Sequence, residues 1–98
     1  MESLHSESTD RLFRAILALG SVEECYDFFE DICTIKEIKD MTQRLDTAVL
    51  LDRGMNYQHI SEAVGVSTAT ISRVNKCLQY GSGGYRTALD RMGTDKLK

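Results

Sequence analysis

The side chains best suited to chemistry lie in the segment YQHISEAVGVSTATISRVNK, residues 57–76. Seven of them are small, hydroxyl-bearing, amide or cationic groups, with no acid among them: Gln58, Ser67, Thr68, Ala69, Ser72, Arg73 and Lys76. Hydroxyls can bond base edges, a methyl can meet the methyl of thymine, and an arginine can grip guanine O6 and N7. This set therefore predicts contact with double-stranded DNA.

Apolar residues in the same segment must hold those side chains outward. The pattern predicts two helices, 57–64 and 67–80, with Gly65 supplying the left-handed conformation of a tight turn and Ser67 capping the second helix. Five apolar positions occupy the register that a helix-turn-helix needs: Ile60, Val64, Val66, Ile71 and Val74. We expect Ile71 and Val74 to pack back on Ile60 and Val64, and Lys76 and Gln58 to face phosphate groups. Ser61 stands where alanine is more usual.

The rest of the chain predicts an all-α fold of about six short helices. Ser8 or Thr9 can cap a first helix that ends at Gly20, and capping boxes at 21–24 and 34–37 open the next two. The third helix closes at 53–54, and a last helix fits from about Tyr85 to Met92. Helices this short bury little surface, so we expect a homodimer.

Length and charge narrow the class of protein further. The 98 residues predict one domain, 1–98, and neither a membrane span nor a signal peptide is apparent, which predicts a cytoplasmic protein. The net charge is −3. Residues 1–52 hold five Lys or Arg against twelve Asp or Glu, whereas residues 53–98 hold seven against three. The basic half is thus the half with the predicted DNA-reading helices.

Metal and catalytic sites are not favoured. The three cysteines, Cys25, Cys33 and Cys77, lack metal-ligand spacing and lie in apolar-periodic stretches, so we expect all three to be buried. No nucleophile is paired with a base. We therefore expect no cofactor, no metal and no enzymatic activity. A helix-turn-helix that serves as a protein-interaction module or adaptor in a transcription complex is the alternative function.

Residues 34–86 resemble the Trp repressor superfamily, most closely its YerC/YecD-like branch. The stretch RGMNYQHISEAVGVSTATISR matches the paired DNA-reading helices of that family, including the core Ala69-Thr70-Ile71-Ser72-Arg73. The resemblance implies a six-helix protomer and an intertwined dimer, formed mainly by residues 9–52 and 84–93. It also implies a transcriptional regulator, with repression as the expected outcome.

The same resemblance implies an effector pocket. The Trp repressor binds free tryptophan, and Thr34, Arg44 and Arg73 occupy three of the positions that hold it. However, Val74 stands where the repressor has a glycine, and Cys77 stands where it has a serine. A branched side chain in the space of a planar ring is costly in a packed site. We therefore expect no tryptophan binding, and the identity of any other effector stays open.

Overall fold

The computed structural model describes residues 3–93, within which the chain forms six α-helices and no β-strand. The helices are α1 (Glu7–Leu17), α2 (Val22–Ile32), α3 (Ile35–Asp52), α4 (Tyr57–Val64), α5 (Thr68–Tyr80) and α6 (Gly84–Met92). The predicted all-α fold of about six helices is confirmed.

Side-chain caps decide where most of these helices begin. Thr34 and Glu37 form the predicted reciprocal box: the Thr34 N–H donates to Glu37 Oε1 at 2.8 Å, and the Glu37 N–H donates to Thr34 Oγ1 at 3.1 Å. At α2 the Glu24 N–H donates to Ser21 Oγ at 3.1 Å, but the Glu24 carboxylate accepts from Gly20 N–H rather than from Ser21. The bonds to the N–H groups of Glu24, Thr34 and Glu37 satisfy donors that the start of a helix leaves without a partner.

The predicted start of α1 was wrong. Ser6, not Ser8 or Thr9, occupies the cap, and its Oγ accepts from the Thr9 N–H at 3.0 Å. Ser6 has the extended backbone that a cap requires, with φ −162° and ψ 165°, whereas Ser8 and Thr9 are already helical. The helix therefore begins two to three residues earlier than expected.

The chain forms two compact units, of which the first ends at Ile38. It contains α1, α2 and the first turn of α3, and neither α1 nor α2 has a buried residue. Large apolar side chains are exposed on both helices: Leu12, Phe13, Leu17, Val22, Tyr26 and Ile32. Phe28 and Phe29 make an edge-to-face contact, with ring centroids 5.6 Å apart. The protomer thus leaves most of the apolar surface of this unit uncovered.

The second unit begins at Lys39 and holds the buried core. Ala48 and Val49 of α3 pack in one cluster with Val74 of α5 and Leu89 of α6. Ile60 and Ile71 are fully buried as well, as the helix-turn-helix pattern predicts. Val74, however, belongs to a cluster with residues of α3 and α6 and none of α4, so the expected packing of Val74 on α4 is replaced by packing on two other helices.

Two further features of the described residues bear on function. No helix there combines the length and the apolar character that a membrane crossing requires. Cys77 is exposed, so its predicted burial was wrong, while Cys25 and Cys33 are partly buried. The inward line of α5 runs through Ile71, Val74 and the partly buried Leu78, and Cys77 lies one residue off it.

An ion-pair network joins the end of α3 to α6. Arg86 Nη1 donates to Asp52 Oδ1 at 2.7 Å and Nη2 donates to Asp52 Oδ2 at 3.2 Å. Arg86 Nε also donates to Asp90 Oδ1 at 2.9 Å, one turn along α6. The hydrogen bond from Arg86 lowers the pKa of the Asp52 carboxyl, against the smaller opposing effect of burial.

We expect Asp52→Asn to destabilise the protein near neutral pH and to lose this effect in acid. Because the folded-state pKa of Asp52 is lowered, its contribution is fully present above the unfolded value of about 3.9 and disappears as the pH falls through the folded value. The pair is partly exposed, so the melting temperature should fall by a few degrees at most. Melting curves of both proteins from about pH 7 to about pH 2 test this. Asp46→Asn, at an exposed position of α3 outside this ion-pair network, is the control, and a difference in melting temperature that stays constant across this pH range would refute the expectation.

Candidate nucleic-acid interface

A three-residue turn, Gly65-Val66-Ser67, joins α4 to α5. Gly65 has φ +83° and ψ 34°, the left-handed conformation that side-chain-bearing residues rarely adopt, and its N–H donates to the Ser61 carbonyl at 2.9 Å. No atom lies within 4 Å of the place where a Cβ would stand at Gly65. The need for glycine therefore comes from the backbone conformation and not from crowding.

Ser67 begins α5 as predicted. Its Oγ accepts from the Thr70 N–H at 3.1 Å, and its hydroxyl lies 3.2 Å from Thr70 Oγ1, to which it donates. Both functions of this hydroxyl are thus engaged inside the protein. Ser67 is accordingly a structural cap first, and donation of its proton to a nucleic acid would compete with the bond to Thr70 Oγ1.

The other predicted residues of α5 form one exposed stripe. Five side chains compose it: Thr68, Ala69, Ser72, Arg73 and Lys76. They follow two rows of four-residue spacing, 68–72–76 and 69–73, which place them on adjacent lines of one helix surface. The opposite side carries the buried Ile71 and Val74. No Asp or Glu occurs anywhere in α5, so this stripe, hereafter the α5 stripe, carries only positive formal charge.

Gln58 lies apart from the stripe, in the first turn of α4, and is exposed. Its Nε2 is 3.5 Å from Glu62 Oε1, a long hydrogen bond between neighbours one turn apart. The amide is therefore only weakly held, and a phosphate oxygen could replace the carboxylate as its acceptor. Glu62 is the acidic residue of α4, which makes α4 the less favourable helix for an anion.

A surface cavity of about 320 Å³ lies behind the turn. Polar side chains dominate its lining, which consists of Asp40, Gln43 and Arg44 of α3 together with Gly65, Val66, Ser67 and Thr70. Neither Arg73 nor Val74 is among these residues. Nothing in the sequence pattern predicts this cavity, because its two walls come from helices that are distant in the chain.

Residues 7–93 match the protein family described as Trp repressor protein. The chain belongs to this family. It is 49% identical, over 94% of its length and 88% of the relative's, to the uncharacterised protein YerC of Bacillus subtilis (strain 168). The resemblance that the sequence predicts, including its YerC-like branch, is confirmed. The Trp repressor family is a regulatory and non-enzymatic one.

Two solved structures resemble this Trp repressor family protein throughout. One is a TrpR-like protein from Eubacterium eligens ATCC 27750, with a TM-score of 0.89 at 48% identity, covering 92% of this chain and 93% of the other. The second is a candidate Trp repressor from Staphylococcus aureus, with a TM-score of 0.89 at 47% identity, covering 93% and 91% of the two chains. The predicted Trp-repressor-like fold is thereby confirmed for the protomer.

The three residues implied for a Trp repressor effector pocket occupy different surroundings. Thr34 lies in the first unit, where its Oγ1 is engaged as the cap of α3. Arg44 is exposed and lines the cavity behind the turn. Arg73 is in the exposed α5 stripe and does not line that cavity. The structure therefore gives Thr34 a capping role and leaves only Arg44 of the three beside this cavity.

Proposed function

We propose that this protein is a sequence-specific DNA-binding transcriptional regulator, and that it acts as a repressor through α4 and α5. The observation that supports this most is the α5 stripe, which is exposed and acid-free while the other side of the helix is fixed in the core by Ile71 and Val74. A helix anchored on one side and bare on the other is what insertion into a major groove requires. We propose a cytoplasmic location, because the relatives are bacterial proteins and bacterial DNA lies in the cytoplasm.

Within the stripe the side chains differ in the contacts they suit. Arg73 can bond guanine O6 and N7 through two N–H groups, Thr68 and Ser72 can donate to or accept from base edges, and the Ala69 methyl can meet thymine. Lys76, further along α5, suits a phosphate, as does Gln58 on α4. Base contacts carry sequence preference, whereas phosphate contacts carry affinity and its dependence on salt.

The alternative function is a helix-turn-helix that binds another protein of a transcription complex. The acidic N-terminal half, with twelve Asp or Glu against five Lys or Arg in residues 1–52, is the feature that favours it. The two functions differ in their response to salt. When a protein binds DNA phosphates, the logarithm of its binding constant falls steeply and linearly with the logarithm of the salt concentration. A small protein-protein contact has no counterion atmosphere to release and should not show this dependence.

Substitutions in the α5 stripe should separate base contacts from phosphate contacts. We expect Arg73→Ala to relax sequence preference at the contacted base pair, at a cost of roughly 1–3 kcal/mol per contact. We expect Lys76→Ala to weaken binding to all duplexes and to reduce the salt slope by about one ion. The measurement is a gel-shift selection from random duplexes, followed by affinity titrations at several salt concentrations.

Lys39→Ala is the matched control, because Lys39 is exposed on α3 and the substitution removes the same charge. It should leave both affinity and salt slope close to wild type. If Arg73→Ala and Lys76→Ala bind the selected duplex as wild type does, the α5 stripe is not the DNA-contacting surface, and the adaptor function gains support.

We also propose that the regulator is a homodimer, with residues 9–52 and 84–93 as its main contacts. The uncovered apolar side chains of α1 and α2 support this: Leu17 is 83% exposed, Val22 69% and Tyr26 62%. A unit of under forty residues with no buried side chain in its first two helices cannot supply a core of its own. A two-fold dimer would present two α5 stripes to half-sites about 34 Å apart.

Sedimentation equilibrium should give twice the protomer mass of 11.0 kDa for the wild type. Leu17→Glu places a charge on the proposed contact surface and should shift the equilibrium towards the monomer by at least tenfold, because a buried unpaired charge costs several kcal/mol. Gln79→Glu adds the same charge at an exposed position of α5, outside the proposed contacts, and should leave the equilibrium unchanged. A wild type that stays monomeric at high micromolar concentration would exclude the dimer.

We propose, finally, that tryptophan is not the effector. Val74 is only 2% exposed and packs against α3 and α6 residues, so its side chain fills space that a glycine would leave open. Moving it would break the core cluster. Calorimetric titration with tryptophan should show no binding up to about millimolar concentration, and tryptophan should not change affinity for the selected duplex. Saturable binding in the micromolar range would contradict the proposal.

A further inference from the structure

Ser61 bonds twice across the turn of the helix-turn-helix. Its backbone carbonyl accepts from the Gly65 N–H at 2.9 Å, and its side-chain hydroxyl donates to the Val66 carbonyl at 2.6 Å. A serine in a helix often donates back to a carbonyl of its own preceding turn. A hydroxyl has only one proton to donate. Ser61 donates it to the Val66 carbonyl in the turn and not to a carbonyl of its own helix.

The bond to Val66 controls a single rigid unit of the backbone. The Val66 carbonyl shares its peptide plane with the N–H of Ser67, the cap of α5. Orienting that carbonyl therefore orients the peptide from which α5 begins. Both Ser61 and Val66 are partly buried, so a Val66 carbonyl without the hydroxyl would be poorly solvated.

We propose that Ser61 is a positioning residue for DNA recognition, whose hydroxyl fixes the direction in which α5 presents the α5 stripe. Ser61 acts through the Val66–Ser67 peptide and contacts no base or phosphate. This inference rests on the proposed DNA-binding function. Ser61 stands where alanine is more usual in a helix-turn-helix. Packing at this position requires only a small side chain, so the hydroxyl is available for a separate role.

A positioning role of Ser61 affects the affinity for the selected duplex more than the affinity for random duplex. Base contacts depend on the direction of α5, whereas contacts with phosphates tolerate a change in it. Ser61→Ala should lower affinity for the selected duplex by about threefold to tenfold, the worth of one hydrogen bond, while affinity for random duplex at low salt changes by less than about twofold. Ser61→Thr keeps the hydroxyl and should restore the ratio of specific to non-specific affinity.

The experiment measures that ratio for the wild type and for both variants, together with melting temperature. A loss of the ratio in Ser61→Ala and its recovery in Ser61→Thr support the positioning role. A lower melting temperature with an unchanged ratio overturns it, because the hydroxyl would then serve stability alone. If Ser61→Ala does not fold, Ser61→Cys retains the size with a weaker donor, and an unchanged ratio in that variant also overturns the proposal.

Amide hydrogen exchange distinguishes failure of this proposal from failure of the proposed function. If the wild type binds no DNA, the DNA-binding function is wrong, but the control of the turn can still be measured. Exchange at Thr70 and Ile71, whose N–H groups donate to Ser67, should then be at least fivefold faster in Ser61→Ala than in wild type, with exchange at Leu89 in the core unchanged. Equal exchange rates at Thr70 and Ile71 in wild type and Ser61→Ala would show that the hydroxyl does not hold the start of α5.

Discussion

The left-handed backbone of Gly65 is the constraint on which the second unit depends. It ends α4 and lets α5 start in a new direction within three residues, which a continuous helix or a side-chain-bearing residue could not do at low cost. Because the two helices diverge there, Ile60 and Ile71 can both be fully buried while the α5 stripe stays exposed. Ser61 bonds to the turn from the α4 side, and Ser67 bonds to the first turn of α5. These hydrogen bonds restrict the backbone on both sides of Gly65.

Local charge describes this surface better than net charge does. A net charge of −3 alone would argue against a polyanionic partner, yet α5 contains no acid and two of its exposed side chains, Arg73 and Lys76, are cationic. Screening confines the influence of any one exposed charge to about 10 Å at moderate salt. The electrostatic field at the surface of α5 is therefore set mainly by its own side chains and by charges close to them.

Features encoded by nearby residues could be predicted from the sequence, and those decided by tertiary packing could not. Gly65, Ser67 and the capping box at Thr34 carry local signals, and the structure places all three as expected. Around Ser6 the same signal is ambiguous, because Ser8 and Thr9 can also cap and only the extended backbone selects among them. The neighbours of Val74 and the exposure of Cys77 depend on how α3 and α6 meet α5, which a periodic pattern does not specify.

The packing of Val74 links core stability to the proposed independence from tryptophan. Ala48, Val49, Val74 and Leu89 brace α5 between α3 and α6, and Arg86 adds a polar bond between those two outer helices. Helix α5 is thus supported by side chains of the protein's own core. The apolar surface of α1 and α2 is uncovered in the protomer. In the proposed dimer a second protomer would cover it, and the fraction of protomers covered in this way would rise with protein concentration.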